Sequence, residues 1–130
     1  MMKIYIIDDD LDIVNLLKIT LESAGHRVFD QHDAENLVEN ITGFSPDIII
    51  LDVMFPGDPE AGFKMARLIR HSEKIKDIPI LMLTSVNEEG DFLSTFSSRD
   101  IDDIYLPVTE FIEKPIEPRL LLQKVNELTA

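Results

Sequence analysis

Asp8, Asp9 and Asp10, then Asp52, then Thr84 with Ser85, then Lys114 each stand where an apolar run gives out. Together they supply carboxylates, hydroxyls and one ammonium. A few carboxylates brought together cannot all stay ionised without a counter-charge. A hydrated Mg²⁺, a hard cation that takes oxygen ligands, supplies one. Asp52 at such a cation would keep one oxygen free as a nucleophile toward an incoming phosphoryl group. Lys114 and the Thr84 hydroxyl would add the charge and the hydrogen bond that phosphoryl oxygens require. No general base is needed, because a carboxylate nucleophile is already ionised.

The segments that end in these residues are short and apolar. Ile4-Tyr5-Ile6-Ile7 reads as a first strand and Arg27-Val28-Phe29-Asp30 as a weaker second. Ile48-Ile49-Ile50-Leu51 is too uniformly apolar for a half-exposed strand, so it predicts a buried central strand of a parallel sheet, closed by Asp52. Ile78 to Leu83 predicts a fourth strand, with Pro79 near its start, and Val108 to Ile112 a fifth. Helical spacing covers Leu11 to Ala24, with Asp10 as N-cap and Gly25 after the end. It recurs from about Ala34 to Thr42, stopping at Gly43, from Phe63 to about Ser72, and from Pro118 to Leu128. Between Val86 and Val108 the period breaks down, and a helix near Asp91 to Ser97 is the expectation there. The alternation of strands and helices predicts a five-stranded parallel α/β sheet with helices on both faces and right-handed crossovers. In such sheets chemistry collects outside the carboxyl ends of the strands.

Composition narrows the function. With 130 residues, 45% of them apolar, the chain is expected to form one domain over residues 1–130, with a core that needs no disulfide or structural metal. Twelve Lys and Arg against 25 Asp and Glu give a formal charge of −13, which repels phosphate backbones and argues against direct nucleic-acid binding. The absence of cysteine excludes thiol catalysis and Cys-ligated zinc. No apolar stretch is long enough to span a membrane, and the N-terminal run meets three aspartates too early for a signal peptide, so a cytoplasmic protein without membrane attachment is expected. His26, His32 and His71 share no metal-ligand spacing and read as surface residues.

Asp8-Asp9-Asp10, the stretch from Pro46 through Asp52 to Met54, Leu83-Thr84-Ser85 and Lys114-Pro115, in this order along the chain, resemble the receiver domain of two-component response regulators. The resemblance implies a doubly wound, flavodoxin-like fold with strand order 2-1-3-4-5. That order sets Asp8 and Asp9 beside Asp52. It also implies that Asp52 is the phosphoacceptor. Asp9 would be a direct Mg²⁺ ligand, Asp8 one that commonly binds through water, and Met54 a ligand through its backbone carbonyl. Thr84 and Lys114 match the phosphoryl-binding hydroxyl and lysine, and Thr84 and Phe111 the pair that switches on phosphorylation. Implied partners are a sensor histidine kinase or phosphotransfer protein and an unknown output protein. A phosphorylation-dependent dimer is compatible with the pattern.

The chain departs from the usual receiver pattern in places. The loop from Gly57 to Gly62 is about two residues longer and carries Asp58 and Glu60. Thirty positions separate Thr84 from Lys114, and a Gly-Ala pair before the fifth strand is missing. Asp103-Ile104-Tyr105-Leu106-Pro107 imitates the approach to the lysine, but no lysine follows it, so Phe111 is preferred over Tyr105 for the switch. The expected function is a stand-alone receiver. It takes a phosphoryl group on Asp52 with Mg²⁺, catalyses only its own phosphorylation and dephosphorylation, and signals through the face formed by the 91–97 helix, the fifth strand and the last helix. One alternative is a degenerate receiver that binds a partner without phosphorylation. A phosphatase of the haloacid dehalogenase type would want an acid two residues after the nucleophile, where Met54 stands.

Overall fold

Isoleucine-rich strands stacked side by side form the centre of the molecule. The computed structural model describes residues 2–33, 35–52, 61–84, 110–113 and 116–129. In chain order the elements are β1 (Lys3–Ile7), α1 (Leu11–Ser23), β2 (Arg27–Gln31), α2 (Leu37–Phe44), β3 (Ile48–Asp52), α3 (Ala61–Arg70), β4 (Ile80–Thr84), β5 (Glu110–Glu113) and α4 (Pro118–Thr129). The strands form one sheet in the order β2-β1-β3-β4-β5, and every pair is parallel. The expected doubly wound order is thus present. The helix expected at Asp91 to Ser97 lies outside the described residues.

Alternate residues of a strand point to opposite faces, and the core divides accordingly. Tyr5, Ile7, Ile49, Leu51 and Met82 pack with Leu37 and Ile41 of α2 and Met65, Ala66 and Ile69 of α3. On the other face Ile4, Ile6, Ile50 and Leu81 pack with Val14, Leu17 and Leu21 of α1 and Leu121 and Val125 of α4. Every residue of β3 is buried, as a strand covered on both faces requires. From Arg27 to Asp30 the edge strand β2 alternates between exposed and half-buried positions, which explains its weak apolar signal.

Several boundaries differ from expectation for local reasons. α2 begins at Leu37, not near Ala34. Gln31 Nε2 donates to the carbonyls of Asp33 (2.6 Å) and Glu35 (3.1 Å), and Asn40 Nδ2 donates to that of Glu35 (3.2 Å). Side chains that hold these carbonyls compete with a helical ladder. Asn36 then enters α2 in the left-handed conformation, at φ 52°. Gly43 does not stop this helix. The stop comes two residues later at Ser45, also left-handed at φ 55°. β4 begins at Ile80, after Pro79, whose carbonyl accepts from Ile49 N–H at 2.9 Å. α1 follows expectation: Asp10 Oδ1 accepts from Asp12 and Ile13 N–H at 3.0 and 3.4 Å, and Gly25, just past its end, has φ 90°.

Candidate functional site

β1 and β3 are neighbours, with Ile7 paired to Leu51, so the residues that follow each pairing, Asp8 and Asp52, reach the same edge of the sheet. Asp8 is fully buried, Asp52 is 2% exposed, and Asp9 is half-buried. One carboxylate oxygen from each of the three lies within 4.8 Å of the others. Such a set combines mutual repulsion with loss of hydration, both of which a divalent cation would relieve. The donors are all hard carboxylate oxygens, which suit Mg²⁺ or Ca²⁺ and not a thiolate- or imidazole-seeking metal. The three residues fit a divalent-metal site.

Backbone contacts hold this edge in shape. Asp8 Oδ1 accepts from Asp10 N–H at 2.9 Å, closing a turn that leads into α1, and Asp8 N–H donates to the Gln31 carbonyl at 3.2 Å. Asp10 is therefore the cap of α1 and stands apart from the three-carboxylate group. Beside it, Asp30 accepts from Lys18 Nζ at 3.1 Å and lies 3.4 Å from His32 Nε2, while His32 Nδ1 is 3.4 Å from the Asp8 carbonyl. His32 is half-exposed, but it braces the strand end that carries Asp8. His26 is half-buried, its Nδ1 accepting from Met2 N–H at 3.2 Å, and burial lowers its pKa.

A second polar cluster escaped the sequence reading. The Tyr5 hydroxyl, fully buried, donates to Gln31 Oε1, which also accepts from Asn40 Nδ2 at 3.3 Å. Burial, with Asp30 nearby, raises the Tyr5 pKa to about 12. Tyr5, Phe29 and Phe44 stack with ring centroids 5.6–5.9 Å apart, and Lys3 Nζ lies 4.8 Å over the Phe44 ring. The partners are 26 positions apart in the Tyr5–Gln31 pair, a separation that no local pattern encodes.

The backbone register locates the other expected residues. Asp52 pairs with Leu83, so Thr84 lies one step beyond it on the adjacent strand and ends β4. Thr84 in turn pairs with Glu113, and Phe111 with Met82. Met54 and Lys114 fall outside the described residues, as does Tyr105.

Three carboxylates, two of them buried, stand at the carboxyl edge of a 2-1-3-4-5 parallel sheet. Residues 4–126 match the response regulator receiver domain, and the chain belongs to that family. It is 31% identical over 123 residues to the phosphate regulon transcriptional regulatory protein PhoB of Pseudomonas aeruginosa, covering 95% of this chain and 49% of that protein. The chain spans about half the length of the curated relatives it matches. The N-terminal domain of the nisin resistance regulator NsrR, a lantibiotic response regulator, superposes with a TM-score of 0.77 at 30% identity, over 100% of this chain and 99% of that one. The receiver domain of sensor histidine kinase PA1611 of Pseudomonas aeruginosa, solved with a magnesium ion in its active-site cleft, shares the fold. Its TM-score is 0.79 at 21% identity, over 98% and 97% of the two chains.

Proposed function

We propose that this receiver accepts a phosphoryl group on Asp52 from a phosphohistidine of a sensor kinase or phosphotransfer protein. The observation that carries the proposal is the approach of Asp8, Asp9 and Asp52 within 4.8 Å, two of them buried, at the joint edge of β1 and β3. An oxygen of Asp52 attacks phosphorus, the P–N bond of the donor breaks, and an acyl phosphate results, while the imidazole leaves with the bonding pair and takes up a proton. Asp8, Asp9, Asp52 and the Met54 carbonyl would hold Mg²⁺. When bound, Mg²⁺ neutralises the developing charge on the phosphoryl oxygens. Asp8, held by the turn to Asp10, keeps its carboxylate aimed at the site before any ligand arrives.

Thr84 and Lys114 would bind the phosphoryl oxygens, and Thr84 with Phe111 would carry the change to the β4–β5 side of the sheet. The output is then a protein contact whose affinity the phosphoryl group shifts. Residues 1–130 act as one receiver unit in this reading, in the cytoplasm where kinase and phosphodonor meet. Among the described residues no helix is long and apolar enough to cross a membrane. A binding module independent of phosphorylation would have no need of three carboxylates packed together, so that alternative is not favoured.

The test is ³¹P NMR of the protein mixed with phosphoramidate and MgCl₂. An acyl-phosphate resonance that needs both Mg²⁺ and Asp52, and is absent from Asp52→Asn, is expected. Phosphorylation that survives Asp52→Asn overturns the assignment.

A further inference from the structure

In a chain of net charge −13, five of the twelve Lys and Arg residues fall within thirteen positions: Lys64, Arg67, Arg70, Lys74 and Lys76. One acid, Glu73, lies among them, and it pairs with Lys76 at 3.3 Å. The stretch therefore carries +4, or +3 with Asp77 of the turn that follows, and the rest of the chain then holds seven cations against twenty-three carboxylates, or −16. Helix geometry concentrates this charge. Met65, Ala66 and Ile69 bury one side of α3, which leaves Lys64, Leu68 and His71 on the outward side, with Arg67 and Arg70 half-buried at its margin. Leu68 is 49% exposed in the middle of these cations.

At the carboxyl end of α3 an open hollow is lined by Arg70, His71, Lys76 and Asp77. Arg70 is fixed there by hydrogen bonds from one terminal nitrogen to the carbonyls of Lys76 (2.7 Å) and Ile78 (2.6 Å). Lys64, Arg67 and Arg70 all make contacts within the chain, so the surface acts through its net excess of charge and not through any single idle cation.

We propose that the outward face of α3 and the turn that follows it form a docking surface for an acidic amphipathic helix of a partner protein. An exposed apolar residue flanked by cations, here Leu68 by Lys64 and Arg67, has the layout of a protein interface, an apolar centre with a polar rim. The face is about 15 Å long at 1.5 Å per residue, enough for three turns of a helix carrying leucines in line with Leu68 and glutamates toward the cations. A nucleic-acid backbone fits less well, because the −16 remainder repels a continuous phosphate line, whereas a short acidic helix samples only the local field.

The test is fluorescence anisotropy of a labelled 15-residue helix of glutamates with leucines at i and i+4, titrated with the full chain. Saturable binding is expected, weakening steeply with added salt. It should weaken by about tenfold in K64E/K74E and severalfold in L68A, both checked for folding by circular dichroism. The proposal is overturned by any of three results: no saturable binding, equal binding by the charge-reversed variant, or tighter binding of a labelled oligonucleotide of equal charge. Sedimentation showing a self-association that K64E/K74E abolishes would assign the surface to a second copy instead.

Discussion

Asp52→Asn should stabilise the protein when divalent metal is absent, although it removes the residue on which the proposed chemistry depends. Asp8 and Asp52 are both buried, and their nearest oxygens lie within 4.8 Å. At an effective dielectric constant of about 20, two unit charges about 4.8 Å apart repel by about 3.5 kcal/mol, which cations nearby reduce. The half-buried Asp9 adds a smaller, solvent-screened share. Asparagine keeps the shape and removes the charge, so a gain of about 1–3 kcal/mol in chelator is expected. This corresponds to a rise in Tm of roughly 3–12 °C for a domain of this size. Adding Mg²⁺ reverses the comparison, since a ligand at 100 times its Kd stabilises the wild type by about 2.7 kcal/mol and the variant much less. The assay is thermal unfolding followed by circular dichroism in EDTA and in MgCl₂. An Asp52→Asn protein less stable than wild type in EDTA, or an equal Mg²⁺ response in both, would refute the repulsive three-carboxylate site.

Three other perturbations probe the framework. Asp10→Ala should cost about 1 kcal/mol by removing the α1 cap, read as a lower urea midpoint, with Mg²⁺ stabilisation retained because Asp10 is not in the trio. Tyr5→Phe should cost about 1–2 kcal/mol, since Gln31 loses the buried hydroxyl donor but keeps Asn40. In an alkaline absorbance titration, Tyr5 should ionise only near pH 12. Its raised pKa favours the protonated fold, so this contribution to stability is complete below pH 10 and is lost as pH rises from 10 toward 12. A single tyrosinate transition near pH 10 for both tyrosines would contradict the buried placement. Ile50→Ala, in a strand buried on both faces, should cost about 2–5 kcal/mol, measured by the same urea unfolding.

The sheet and its acidic edge were legible because their causes are local. Ile48 to Leu51 is apolar without alternation, and only a strand covered on both faces needs that pattern. Asp8 and Asp52 end their strands, and a parallel sheet brings strand ends to one edge. What the sequence hid depends on side-chain contacts and backbone turns that hydrophobic periodicity does not report. The late start of α2 follows from Gln31, at the end of β2, drawing down the Asp33 and Glu35 carbonyls. Nothing in the periodicity of Leu37, Val38 and Ile41 reports that competition. Gly43 suggested a helix stop by its type alone, whereas the left-handed turn falls on Ser45. The aromatic stack of Tyr5, Phe29 and Phe44 joins three elements and becomes visible only when β2 lies beside β1.

The most direct test of the central claim is the intact mass of the protein after incubation with acetyl phosphate in MgCl₂, beside an EDTA control and Asp52→Asn. One added phosphoryl group in the wild type with Mg²⁺, and none in either control, is the predicted result. A folded, Mg²⁺-loaded wild type that gains nothing from acetyl phosphate or from a cognate kinase, or one that gains as much without Asp52, would contradict the account.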